Sequence, residues 1–162
     1  FDKKGMKVFV DYAHTPDAIS EILKSLKKIT ENKLILVFGC GGDRDKSKRS
    51  LMTKEAIKYS DIIIITDDNP RFEEAASIRK DMIKNIRAKD LKKIIMIENR
   101  KKAIKSAVNL LLKNDTLVIA GKGHENYQLI RDKKLKFSDK EIAKEYLKQK
   151  WTFGKSKIFT GL

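Results

Sequence analysis

A single cysteine, Cys40, leaves no partner for an internal disulfide and suits a reducing compartment. His14 and His124 are the only histidines, so the soft ligands are too few for a structural zinc site, and no metal site is expected. No apolar run approaches the length that spans a bilayer, and Phe1 to Met6 lacks the apolar core of a signal peptide. These absences point to a cytoplasmic protein with no membrane contact. A phosphate loop is missing too: Gly154-Lys155-Ser156 imitates its end, but Gln149 stands where the first glycine belongs and no strand precedes it. ATP hydrolysis by this chain alone is therefore not expected. His124-Glu125 has no second histidine at Gln128 and so is not a helical metalloprotease motif. In Gly39-Cys40-Gly41-Gly42-Asp43-Arg44 the third glycine of a dinucleotide fingerprint is replaced by Arg44, which argues against a nicotinamide cofactor. Aromatic residues are scarce at 7% and are not interleaved with the lysines, so the net charge of +15 lacks the stacking platforms of a nucleic-acid surface. The lysines are scattered singly and in pairs, as on a solvated surface, and no nucleic-acid partner is expected.

What is present is a regular alternation. Short apolar runs at Lys7-Val8-Phe9-Val10, Leu34 to Phe38, Ile62 to Ile65, Ile94 to Ile97 and Thr116 to Ala120 read as strands. Segments of helical period lie between them, from Pro16, from about Ser50 to Tyr59, Glu73 to Arg87 and Arg100 to Lys113. Thr15 is placed to cap the first helix, with Pro16 at its first position and Ile19, Ile22, Leu23, Leu26 and Ile29 on one face. The four consecutive isoleucines do not alternate with polar residues, which fits a parallel strand covered on both faces. The pattern predicts an α/β fold, a doubly wound, mostly parallel, Rossmann-like sheet. Tyr127 to Phe137 reads as a hairpin that adds an antiparallel edge, and Ser138 or Asp139 can cap a last helix to about Lys150. Residues 1–150 are expected to form one domain, and 151–162 a C-terminal tail.

Polar residues gather just after the strands. Parallel strands open their loops on one edge of the sheet, where α/β proteins collect ligands. The loops after Val10, Phe38, Ile65 and Ala120 should therefore converge. In Thr66-Asp67-Asp68-Asn69-Pro70-Arg71, Pro70 ends the strand and Arg71 projects from a stiff corner, its guanidinium suited to a carboxylate and Asn69 beside it as a further donor. The same residues are equally consistent with a turn that caps the following helix. Glu125 beside glycines can accept hydrogen bonds from a ligand ammonium. Asp11 and His14 fit a ribose or phosphate, or a cap on the helix at Pro16. Cys40 reads as a small buried hydrophobe rather than a nucleophile.

Four motifs, Asp11-Tyr12-Ala13-His14-Thr15-Pro16-Asp17, Phe38 to Lys46, Asp67-Asp68-Asn69-Pro70-Arg71 and Gly121-Lys122-Gly123-His124-Glu125, closely resemble the C-terminal domain of the UDP-N-acetylmuramoyl-tripeptide synthetases of the Mur ligase family. The likeness keeps the family's order and spacing up to about Leu147. It implies the third domain of a monomeric, ATP-dependent amide ligase of peptidoglycan synthesis. The N-terminal UDP-sugar domain and the central ATPase domain, which holds most of the ATP and Mg2+ contacts, would lie outside this chain. The implied substrates are meso-diaminopimelate, UDP-MurNAc-L-Ala-D-Glu and ATP. Asp68-Asn69-Pro70-Arg71 resembles the family's diaminopimelate motif, and members that add L-lysine differ at its last position. By the same resemblance Arg44 takes another carboxylate, the Gly121 carbonyl and Glu125 take an ammonium, and Asp11 and His14 face the nucleotide. No catalytic residue is expected in this domain. The competing readings are a non-catalytic α/β module that binds an acidic small molecule or nucleotide, and a member of the same ligase family that adds L-lysine.

Overall fold

The computed structural model describes residues 1–3 and 5–156. In chain order the elements are β1 (Asp2–Lys3), β2 (Met6–Asp11), α1 (Pro16–Lys27), β3 (Leu34–Phe38), α2 (Lys48–Tyr59), β4 (Ile62–Ile65), α3 (Ala75–Met82), α4 (Ala88–Leu91), β5 (Ile94–Met96), α5 (Arg100–Leu110), β6 (Thr116–Ala120), β7 (Tyr127–Ile130), β8 (Lys133–Lys136) and α6 (Asp139–Ser156). The main sheet has the order β1-β2-β6-β3-β4-β5, with β2 through β5 parallel to one another and β1 antiparallel at the edge.

The central strands are apolar on both sides because both sides are covered. Leu34, Leu36 and Phe38 of β3, Ile63 and Ile65 of β4, and Val118 and Ala120 of β6 face one core with Ile19 and Leu23 of α1, Met52 of α2 and Ile78 of α3. Ile35, Val37, Ile64, Leu117 and Ile119 face the other, against Ala103, Ile104 and Ala107 of α5 and Ala143 and Leu147 of α6. Each fully buried aliphatic side chain contributes about 1.5–3 kcal/mol, which leaves little freedom for a register slip that would exchange the faces.

Thr15 caps α1 as the sequence predicts, its hydroxyl accepting from the Ala18 N–H, with Pro16 at the first position. Ile29 lies beyond the end of that helix and is exposed. The helix expected over Glu73 to Arg87 is interrupted: α3 stops at Met82, Asn85 takes a left-handed conformation (φ 60°), and the short α4 follows. Asparagine tolerates that region and competes with helix, which explains the break. Similarly α5 ends at Leu110 rather than Lys113, where the Asp115 carboxylate accepts from the Leu112 N–H. The hairpin forms as expected, but β7 and β8 make a two-stranded sheet of their own, joined to the rest by a bridge between Ile130 and Arg71. The antiparallel edge of the main sheet is β1. Ser138 caps α6, accepting from the Glu141 N–H, and the helix runs to Ser156, so the first part of the expected tail is helical and Trp151 packs on the second core. Residues 157–162 lie outside the described residues. Among the described residues no helix is long and apolar enough to cross a membrane.

Candidate functional site

Parallel β2, β6, β3 and β4 place their C-terminal loops side by side, as the loop convergence predicts, and a cleft of about 360 Å³ opens there. Its walls include His14, Arg44, Asp68, Asn69, Arg71, Gly121 and Glu125, with Tyr12, Lys48 and Tyr127. Seven of the nine singled-out residues thus meet at one site. Pro70 and Asp11 do not line it. They shape it from behind.

The corner after β4 is fixed from two directions. Arg71 sits in the left-handed region (φ 53°), where the hairpin holds its backbone: its N–H donates to the Leu129 carbonyl at 3.2 Å and its carbonyl accepts from the Arg131 N–H at 2.8 Å. On the other side the Gly39–Lys46 loop interlocks with it. The Gly42 N–H donates to the Asn69 carbonyl at 2.9 Å, Arg71 Nη1 donates to the Gly42 carbonyl at 2.8 Å, and the Phe72 N–H donates to Asp43 Oδ2 at 3.2 Å. The glycine loop therefore serves a close approach of backbone to backbone rather than only a turn. A Cβ on Gly41 would lie 2.9 Å from Arg71 Nη1 and 3.8 Å from Arg44 Cγ, so the two arginines flank this residue. Arg44 is exposed and donates to the Asp43 carbonyl at 3.2 Å.

Glu73 ties this wall together. It accepts from the Asp43 N–H at 2.7 Å and from both ends of the buried Arg49 fork at 2.9 and 3.1 Å, and Lys46 lies 3.3 Å away. The hydrogen bonds from Arg49, foremost, hold the Glu73 carboxyl well below its usual range, at about 2. Arg49 also donates to the Gly41 carbonyl at 3.3 Å and to Asp81 at 2.9 Å. Asp67 turns away from the cleft to pair with Arg79; burial pushes its carboxyl up, and the arginine works against that.

The opposite wall is built on Lys122. Its side chain is 0% exposed, and its ammonium donates to Asn69 Oδ1 at 2.7 Å and the Tyr127 carbonyl at 3.0 Å, with Asp68 Oδ1 at 3.2 Å and Glu125 Oε2 at 3.5 Å. An unpaired buried ammonium would cost several kcal/mol; four oxygens offset that here. Asn69 is committed in turn: Oδ1 also accepts from the Leu129 N–H, and Nδ2 donates to Glu125 Oε2 at 3.1 Å. So Asn69, expected beside Arg71 as a further donor, has one amide N–H left for a ligand. Behind Asp68, buried Arg100 binds Asp139 through Nε and Nη2, both at 2.8 Å, and Nη2 donates to the Ala120 carbonyl at the end of β6. Burial works against the Arg100 charge and Asp139 outweighs it, so its pKa lies above the ordinary arginine value. Gly121 follows with φ 112°, a conformation other residues rarely adopt, and a Cβ there would lie 2.8 Å from Asp68 Oδ2.

At the rim, Asp11 accepts from the Ala13 N–H through its carboxylate, and its carbonyl accepts from the Gly121 and Gly123 N–H groups. It braces two loops and does not cap α1. His14 Nδ1 lies 2.8 Å from the Tyr12 carbonyl, which makes that nitrogen the donor, and the Tyr12 ring contacts those of His14 and His124. Cys40 is buried, and desolvation, with Asp68 nearby, pushes its thiol up to about 12. That fits the reading of a small hydrophobe.

The sequence reading missed Lys122, Arg100, Asp139, Arg49 and Glu73. Lys122 lay inside a quoted motif, but a lysine carries no mark of burial; Arg100 and Asp139 read only as helix starts. Their signal was positional, a charge at the end of an apolar strand or at the first turn of a helix that faces the same edge. The cleft as a whole is bipolar, with Arg44, Lys48 and Arg71 on one wall and Asp68 and Glu125 on the other. Such a surface suits a small zwitterion with more than one carboxylate. Among the described residues no group of three His, Cys, Asp or Glu side chains is placed to hold a metal ion.

Comparison with known proteins gives the family. Residues 1–123 match the family described as Mur ligase, glutamate ligase domain. The chain is 52% identical over 145 residues to a UDP-N-acetylmuramoyl-L-alanyl-D-glutamate--2,6-diaminopimelate ligase of Rickettsia typhi, covering 88% of this chain and 29% of that protein. A protein of the same name from Bacteroides thetaiotaomicron is 51% identical over 144 residues, with 88% and 30% covered. A solved structure of a ligase of that name superposes with a TM-score of 0.88 at 40% identity, over 93% of this chain and 31% of that one. The chain thus spans about 30% of the length of the curated relatives it matches. On these matches the chain belongs to the Mur ligase family, as its C-terminal glutamate ligase domain.

Proposed function

We propose that this chain is the amino-acid-binding domain of an ATP-dependent ligase that adds meso-diaminopimelate to UDP-MurNAc-L-Ala-D-Glu in the cytoplasm, a step of peptidoglycan precursor synthesis. The observation that carries the reading is the bipolar cleft, with Arg44 and Arg71 opposite Glu125. Meso-diaminopimelate differs from lysine by a carboxylate at its far end. Arg71, with the free N–H of Asn69, takes that carboxylate through charge-assisted bonds. Arg44 takes the other carboxylate, and the Gly121 carbonyl with Glu125 takes an ammonium. Asp68 and Pro70 set the shape of the corner, and Asp11 and His14 stand on the side from which the nucleotide approaches. The names of the relatives at about 50% identity support the same substrate.

The reaction activates the D-glutamate carboxylate as an acyl phosphate, and the amine of diaminopimelate attacks that carbon. The amine attacks in its neutral form, and the tetrahedral intermediate collapses with cleavage of the C–O bond as the departing phosphate takes up the surplus proton of the amine. Most of the ATP and Mg2+ contacts belong to the central domain of the full-length protein. This chain contributes by orientation: it holds the amino acid so that the attacking amine meets the acyl carbon, which removes much of the entropy of a bimolecular encounter. Closure of the domain over the site excludes water that would hydrolyse the acyl phosphate. None of its side chains need act as a base.

The test is phosphate release from ATP by the full-length parent protein, given UDP-MurNAc-dipeptide with either meso-diaminopimelate or L-lysine. Release with diaminopimelate alone is expected. Release with lysine would overturn the substrate, and release with neither would overturn the ligase reading.

A further inference from the structure

We infer that Lys122 is a positioning residue that sets which way the Asn69 amide faces, and through it the polarity of the amino-acid cleft. An asparagine side chain presents an acceptor on one side and two donors on the other, and packing alone distinguishes the two orientations poorly. Here the choice is forced by chemistry. Two donors converge on one side of Asn69, the Lys122 ammonium at 2.7 Å and the Leu129 N–H at 2.9 Å, so Oδ1 must lie there. Nδ2 is then turned to Glu125 Oε2 at 3.1 Å, and its second N–H, on a residue that lines the cleft, is the one left for a ligand.

The same ammonium lies 3.5 Å from Glu125 Oε2 and 3.2 Å from Asp68 Oδ1. It therefore draws both acidic side chains of that wall to a common centre, and Oε1 of Glu125 is the oxygen left for a ligand. The result is a fixed pair, a donor on Asn69 for a carboxylate and an acceptor on Glu125 for an ammonium. Lys122 also reaches the Tyr127 carbonyl at 3.0 Å, so the start of the hairpin that supports Arg71 hangs from it as well. Buried, committed on every side and absent from the cleft lining, Lys122 has no direct contact to offer a ligand. Without it, Oδ1 keeps only the Leu129 N–H, and the amide is freer to turn its oxygen toward the incoming carboxylate and repel it.

This inference rests on the proposed amino-acid site but not on which amino acid fills it. The experiment compares wild-type full-length parent with Lys122→Met, Asn69→Ala and the double variant in the phosphate-release assay. Lys122→Met should raise the KM for the amino acid about 30-fold, the size of one lost charge-assisted bond. The KM for ATP should stay within about twofold, a separation that general loosening of the fold would not give. The double variant should lose clearly less than the sum of the two single variants, because part of the effect of Lys122 runs through Asn69. Additive effects, or parallel rises in both KM values, would overturn the inference.

A second measurement needs no substrate and no variant. In the asparagine-labelled wild-type parent, the Asn69 side-chain amide proton bonded to Glu125 should exchange with solvent far more slowly than those of exposed asparagines. Exchange of both Asn69 amide protons as fast as in exposed asparagines would overturn the inference even if Lys122→Met fails to fold or the parent proves to use another substrate.

Discussion

The Pro70 carbonyl oxygen lies 1.9 Å from where a Cβ on Gly42 would stand, so the corner after β4 and the loop after β3 share a space that only a glycine leaves open. Contact this close is what lets Arg71 reach the Gly42 carbonyl and keeps both arginines on one wall. Gly42→Ala is expected to force the two loops apart, at a cost of about 2 kcal/mol from overpacking. Urea denaturation of the parent and variant measures it. An unchanged midpoint would mean that the loops are not interlocked.

Arg71→Ala should lower kcat/KM for meso-diaminopimelate about a hundredfold, the worth of ~2–3 kcal/mol for hydrogen bonds to a charged group. Much of the loss should persist in Arg71→Lys, which keeps the charge but not the planar fork. Steady-state kinetics of the full-length protein decide this. Unchanged parameters in Arg71→Ala would remove the residue from the site.

Glu73 gives a pH signature. Its carboxyl falls from the ordinary 4.5 to about 2 in the folded protein, so the folded state binds that proton less readily than the unfolded chain. The stability it contributes is fully present above about 4.5 and is lost as the pH falls toward 2. The difference in melting temperature between wild type and Glu73→Gln should therefore be flat from neutral pH down to about 5 and shrink through the window below it. A difference that stays constant down to the lowest pH would show that the Arg49 contact does not shift this group.

How much of this was legible beforehand divides along physical lines. The alternation of strands and helices was, because apolar runs without a two-residue period belong to strands buried on both faces, and Leu34 to Phe38 and Ile63 to Ile65 are buried throughout. Convergence of the loops followed from parallel order alone. What could not be read was which polar residue faces inward. Asn69 and Lys122 stand in quoted motifs, yet only the fold shows that they bind each other. Helix ends also escaped, since Asn85 and Asp115 act through local hydrogen bonding that leaves no periodic trace.

Cys40 should be inert in the native protein. Burial and a thiol raised to about 12 leave almost no thiolate at neutral pH. A disulfide reagent such as dithionitrobenzoate should label this domain only at the rate of unfolding, and full labelling after addition of urea supplies the control. Rapid native labelling would mean that the floor of the cleft opens to solvent.

Arg100 and Asp139 join the first turns of α5 and α6 beneath the cleft, and both are essentially without exposure. A buried pair of this kind contributes little compared with a well-packed apolar one, but removing a single partner strands the other charge at about 3–5 kcal/mol. Asp139→Asn should show a loss of that size in chemical denaturation, since the nearby Asp68 carboxylate lies at 4.0 Å and is already held by Lys122. Replacing both residues, as in Arg100→Met with Asp139→Leu, should recover most of it. The sites differ in what they do next. Arg100 Nη2 holds the Ala120 carbonyl, one residue before Gly121, so the double variant should regain stability while its KM for the amino acid stays raised. If stability and KM recovered together, the ion pair would be a support for the fold alone and the placement of Gly121 would depend on the strand.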